Sequence, residues 1–117
     1  CNQGCLDQIF KNEYATCLVN PRAGRETEWP KIKSKKSKRI AVVGAGPAGL
    51  ACSVALAEKG YDVELFDQNE SIGGQFLLAR RVPGKEDYAE TIRYFSEQIK
   101  NLKIPLHLKT QVSAQVL

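Results

Sequence analysis

Methionine is absent from this chain of 117 residues, and the first residue is a cysteine. A translation product ordinarily opens on methionine, so the expectation is a piece excised or processed from a longer protein. Long hydrophobic runs are also missing. None approaches the length of a membrane span, and no secretory signal opens the chain. Compositional bias is absent too, which excludes a collagenous, mucin-like or wholly disordered chain. We find no internal repeat. Histidine occurs once, as His107, without a neighbouring ligand pattern, so a surface or structural role is expected for it.

What is present is an average globular composition, 43% hydrophobic and 26% charged, with a formal net charge of +4. The length suits one small domain and is too short for a complete two-site enzyme. Six of the positive charges, Lys31, Lys33, Lys35, Lys36, Lys38 and Arg39, fall within nine residues, and without them the remainder is net negative. A nucleic-acid or membrane-surface patch would suit such a run. It has no interleaved aromatics and separates two differently built regions, so a solvated linker is the better expectation, with neither nucleic acid nor membrane as partner. The organisation predicted is therefore a cysteine-bearing, irregular segment over 1–30, a lysine-rich linker over 31–38 and an α/β domain over 39–117.

In the last region, Ile40-Ala41-Val42-Val43 is a short apolar run ending at glycine, as in a parallel strand buried on both faces. Gly44-Ala45-Gly46-Pro47-Ala48-Gly49 then spells G-x-G-x-x-G. A helix follows with Leu50, Val54 and Ala57 as its inward stripe, and a second strand is predicted from Asp62 to Asp67. The chemistry is specific. Gly44 makes a tight turn, Gly46 lets backbone approach a pyrophosphate, and Gly49 lets the helix pack closely on the strand. The free amides and positive dipole end of the helix then face the phosphates. Asp67, eighteen residues past Gly49, can accept hydrogen bonds from both ribose hydroxyls and disfavours a 2′-phosphate. The whole predicts the first part of a Rossmann-like, parallel-sheet dinucleotide-binding domain.

Gly73-Gly74-Gln75 follows the second strand. Taken alone it is a glycine-requiring turn. Together with the preceding pattern it resembles the FAD-binding domains of glutathione-reductase-like flavoproteins, where a glycine pair leads the chain beside the pyrophosphate. Tyr88, Ile92, Phe95, Ile99 and Leu102 recur at helical steps and predict one core stripe. Ile104, Leu106 and Leu108 alternate as a third strand, with Pro105 at its start or edge.

Cys1, Cys5 and Cys17 lie close together, whereas Cys52 sits alone in a helical pattern. Without a signal peptide a reducing compartment, the cytoplasm, is expected, where clustered thiols bind metal or do redox work more often than they pair. Three thiolates without a fourth make a poor closed zinc site. They would suit three corners of a [4Fe–4S] cluster, with unrelated buried thiols as the alternative.

The motifs C-N-Q-x-C-L-D-Q-I-F, C-L-V-N-P-R, A-V-V-G-A-G-P-A-G-L, L-F-D, I-G-G-Q-F and V-P-G-K-E together resemble the old-yellow-enzyme-related iron–sulfur flavoproteins, and among them the bacterial NADPH-dependent 2,4-dienoyl-CoA reductases. The resemblance covers essentially the whole chain. It implies a parent in which a barrel holds FMN and substrate, a short segment binds the [4Fe–4S] cluster, and further domains bind FAD and NADPH. Electrons would pass from NADPH through FAD and the cluster to FMN, and so to an unsaturated acyl-CoA. By that resemblance Cys1, Cys5 and Cys17 are cluster ligands, with a fourth thiol before the start. Ala48 and Val112 contact FAD through their backbones, Asp67 holds the ribose, and Gln75 and Lys85 line the FAD site. No catalytic residue is implied here. Two alternatives stand beside it. One is an amine-dehydrogenase relative with ADP at the nucleotide site, and the other is a non-redox nucleotide module with a basic arm.

Overall fold

A computed structural model of the chain describes residues 1–29 and 38–115. Lys31 to Lys36 of the basic run lie outside the described residues, while Lys38 and Arg39 lead into the first strand. The chain divides into two compact units, Cys1–Ile32 and Lys33–Leu117.

The first unit departs from the irregular segment expected of it. It contains a helix, α1 (Gly4–Phe10), with Asp7 in its first turn and the Lys11 ammonium 2.8 Å from that carboxylate. An acid near the start and a base four residues later stabilise a short helix locally. Its apolar residues Leu6, Ile9 and Phe10 stay exposed, so no periodic burial announces it.

The second unit is the α/β domain. Strand β1 (Arg39–Val43), helix α2 (Pro47–Glu58), strand β2 (Asp62–Phe66), the short helix α3 (Phe76–Ala79), helix α4 (Tyr88–Asn101) and strand β3 (Leu106–His107) follow in order. The three strands run parallel in the order β1-β2-β3, with Ile40 opposite Val63 and Leu65 opposite Leu106. Alternation along β2 turns Val63 and Leu65 into the core, where they meet Leu50 and Val54 of α2 and Phe95 and Ile99 of α4. Leu65 is wholly buried, which contributes on the order of 2 kcal/mol.

Two expectations need correction. Strand β1 is not buried on both faces. Ile40 and Val42 are half-buried, whereas Ala41 and Val43 are exposed, because α2 and α4 cover one face and no described element covers the other. The third strand is shorter than its alternation suggests. Only Leu106 and His107 pair, although the Pro105 carbonyl already accepts from the Leu65 amide at 2.9 Å. His107 stacks on Phe66 with ring centroids 4.5 Å apart, and its Nε2 lies 3.0 Å from Glu64.

Candidate dinucleotide-binding site

The Gly44 amide donates to the Phe66 carbonyl at 2.7 Å, extending the β1–β2 ladder by one bond before the chain turns. Gly46 adopts an extended conformation and precedes Pro47 at the first position of α2, where a missing N–H costs nothing. The Leu50 amide closes the first helical bond on the Gly46 carbonyl at 2.9 Å. The amides before it have no intrahelical acceptor, and they carry the positive end of the helix dipole.

Two glycines are required by contact. A Cβ on Gly49 would overlap the Gly44 carbonyl oxygen outright, so only glycine lets α2 start this close to the turn. Gly74 has φ +51°, and a Cβ there would stand 2.9 Å from the Cα of Gly46. The Gly73 amide fixes that approach by donating to the Ala45 carbonyl at 2.8 Å. The glycine pair and the phosphate-type turn therefore meet backbone to backbone. Neither glycine brings a side chain to that contact, which suits a pyrophosphate held by amides.

Asp67 follows β2 and is buried. Its Oδ2 accepts from the Ala45 amide at 2.6 Å. Its Oδ1 accepts from the Asn69 amide at 2.7 Å and from the Asn69 side-chain amide at 2.8 Å. Burial, the largest single influence, pushes its pKa up. The bonds from Asn69 and Ala45 together outweigh it, and the carboxyl is held below the ordinary aspartate value.

At the carboxyl ends of the three strands lies a recess of about 310 Å³. Val43 and Gly44 line it from β1, residues 67–69 from β2, and Thr110, Gln111 and Val112 from beyond β3. Ligands of open parallel sheets bind at such strand ends. The volume is at the lower end for ligand pockets and suits one half of a dinucleotide. Backbone bonds from Thr110 to the Asp67 carbonyl and from Lys109 to the Asn69 carbonyl, both 2.9 Å, tie the β3 loop to the β2 loop.

Of the residues singled out in the sequence, the structure gathers Gly44, Asp67 and Val112 around this recess and Gly46, Ala48, Gly49 and Gly74 around the adjoining turn. Gln75 is exposed at the start of α3, and Lys85 is half-buried in the turn before α4, its amide bonded to the Val82 carbonyl at 2.9 Å. Neither lines the recess. Gln68, Asn69, Thr110 and Gln111 do line it and were not singled out. For Gln68 the signal was available, because counting by twos from Val63 puts Asp67 on the core face and Gln68 on the other.

In the first unit Cys1, Cys5 and Cys17 are half-buried, and no disulfide joins them. Among the described residues no three His, Cys, Asp or Glu side chains form a group able to hold a metal. The thiol donor set has the chemistry of an iron–sulfur site, while convergence of the three would have to accompany metal binding.

A parallel sheet with a glycine-rich turn and a helix N-terminus at its carboxyl edge defines a dinucleotide-binding class. Residues 42–101 match the NAD(P)-binding Rossmann-like domain family, and the chain belongs to it. Over 98% of its length it is 34% identical to a metal reductase of Desulforamulus reducens, of which it covers 17%. Among solved structures, a 2-naphthoyl-CoA reductase in complex with 2-naphthoyl-CoA superposes with a TM-score of 0.90 at 40% identity, over 99% of this chain and 18% of that one. Histamine dehydrogenase from Rhizobium sp. 4-9 gives 0.83 at 27% identity, over 92% of this chain and 16% of the other. These relatives are oxidoreductases, and the chain spans under one fifth of their length. Among the described residues no helix is long and apolar enough to cross a membrane.

Proposed function

We propose that the chain is the FAD-binding and cluster-bearing part of an NADPH-dependent flavin oxidoreductase that reduces an unsaturated acyl-CoA, as the 2,4-dienoyl-CoA reductases do. The observation that carries this reading is the meeting of Gly46 and Gly74 at the start of α2, beside the strand-end recess. That surface matches an extended dinucleotide diphosphate whose adenosine half enters the recess. When bound, FAD supplies hydride acceptance and stepwise electron release. The chain's own residues bind and orient it. Amides of the turn, Ala48 among them, hold the diphosphate. Val112 would contact the adenosine half, and Gln75 and Lys85 would line the rest of the FAD site.

Cys1, Cys5 and Cys17 would hold three corners of a [4Fe–4S] cluster. FMN, NADPH and the acyl-CoA belong to further domains of the parent, which are the partners of this chain in place of nucleic acid or membrane, and the setting is the cytoplasm. Likeness to the 2-naphthoyl-CoA reductase, at higher identity than to the histamine dehydrogenase, supports an acyl-CoA over an amine. The test is the visible spectrum of the intact protein purified without oxygen, followed by chromatography of the released nucleotide. Flavin bands with a broad iron–sulfur shoulder and released FAD are expected. Released ADP would favour the amine-dehydrogenase relative, and a featureless spectrum would sink the proposal.

A further inference from the structure

The glycine pair is held by a second element besides the phosphate-type turn. Gly73 has a left-handed backbone, φ +118°, and no room for a side chain. A Cβ there would stand 2.9 Å from Cδ1 and 3.1 Å from Cγ1 of Ile92, and 3.2 Å from Cγ of Leu77. Ile92 of α4 therefore fills the space that any other residue at 73 would claim, and it packs on the Gly73 backbone. Four residues earlier on the same helix face, Tyr88 packs on Phe76 with ring centroids 4.5 Å apart, both rings buried. Further along, Phe95 and Ile99 anchor α4 in the core. One stripe thus has two tasks. Its later half packs under the sheet, and its earlier half meets residues 73–76.

Resting on the FAD reading above, we propose that Ile92 is a positioning residue for the diphosphate. Acting through Gly73, it sets how closely Gly74 stands to Gly46, and so the shape of the amide surface that receives the phosphates. The Gly73 amide bond to the Ala45 carbonyl, 2.8 Å long, fixes one point of the segment but not its tilt. Packing supplies the rest. Leu77 belongs to the short helix α3 and moves with the segment, whereas Ile92 is fixed to the core through α4. Ile92 does not line the recess at the strand ends, so it has no part in holding the adenosine. A side chain that supports a binding surface from behind acts on its geometry alone.

The experiment strips flavin from the intact protein and titrates it by calorimetry with FAD, ADP and adenosine in turn. Adenosine lacks the phosphates, so the ratio of ADP to adenosine affinity reads the cradle, while a general loss of structure weakens both alike. Ile92→Ala should lower that ratio about tenfold, with FAD weakened as ADP is and adenosine within about twofold of the wild type. Ile92→Val deletes only the Cδ1 nearest Gly73 and should lower the ratio about threefold. The same deletion at the buried Ile99 should leave it unchanged. A ratio unmoved in the Ile92 variants, or moved equally by Ile99→Val, would overturn the proposal, as would a wild-type ratio near one. If Ile92→Ala does not fold, the two valine variants decide. A wild-type protein that binds ADP but not FAD overturns the FAD reading alone, and the ratio still tests Ile92. One that binds neither overturns both, a failure visible before any variant is made.

Discussion

The Gly44 carbonyl oxygen sets how near α2 can come to the end of β1, and Gly49 is the residue that respects it. Gly49→Ala forces the helix outward, and an overpacked site of this kind costs about 1–3 kcal/mol. Urea denaturation should show that loss together with a large drop in nucleotide retention. Gly74→Ala combines a left-handed backbone with a Cβ crowding Gly46 and should fall in the same range. Spacing alone revealed these glycines, since each sits where the motif places it. Asp67 was legible only in part. Its place after β2 follows from the pattern, but its bond from the Ala45 amide, twenty-two residues earlier, is one that no local pattern shows. Its lowered pKa has a signed consequence. A carboxyl whose folded pKa lies below its unfolded value adds stability that is complete above about pH 4 and fades as pH falls through the folded value. Unfolding free energy measured from about pH 5 to pH 2 should therefore fall more in the wild type than in Asp67→Asn; equal slopes would contradict the bonds that Ala45 and Asn69 make to the carboxylate.

Elements with a long apolar period were readable, and short ones were not. The stripe through Tyr88, Phe95 and Ile99 became α4, with all three buried. Strand β2 needed no more than its alternation. By contrast α1 has seven residues and α3 four, too few for a periodicity to declare itself, while β3 was read from its alternation but pairs over two residues only. β1 was misjudged for a different reason. A run of apolar residues reads as buried on both faces, but burial depends on what packs above and below, and among the described elements only α2 and α4 pack on the sheet, on one face. Element-scale energetics follow burial. Phe95→Ala, at 5% exposure inside the stripe, should cost about 3–5 kcal/mol. Its neighbour Tyr94, 52% exposed, should cost below about 1 kcal/mol when truncated. Paired denaturation curves of the two variants check this, and similar losses would mean that α4 buries a different face.

At the scale of the whole molecule the chemistry is partitioned as the chain is. The three thiols belong to the unit Cys1–Ile32, and the glycine cradle belongs to the unit Lys33–Leu117. The dinucleotide cradle is made of backbone held by the Gly73, Leu50 and Gly44 hydrogen bonds. The thiols are different, since a metal bound by them, as proposed above, would have to gather donors that form no metal-holding group among the described residues. Two independent losses follow for the intact protein. Cys17→Ser should lower bound iron sharply while flavin content stays near one per chain. Gly49→Val should release flavin while iron is retained. Iron and flavin assayed on the same preparations check both. If either variant lost both cofactors together, the cradle would depend on the cysteine unit for its order. The hydrogen bonds that account for its shape would then be insufficient, and the proposed cofactors would bind as one cooperative assembly rather than independently.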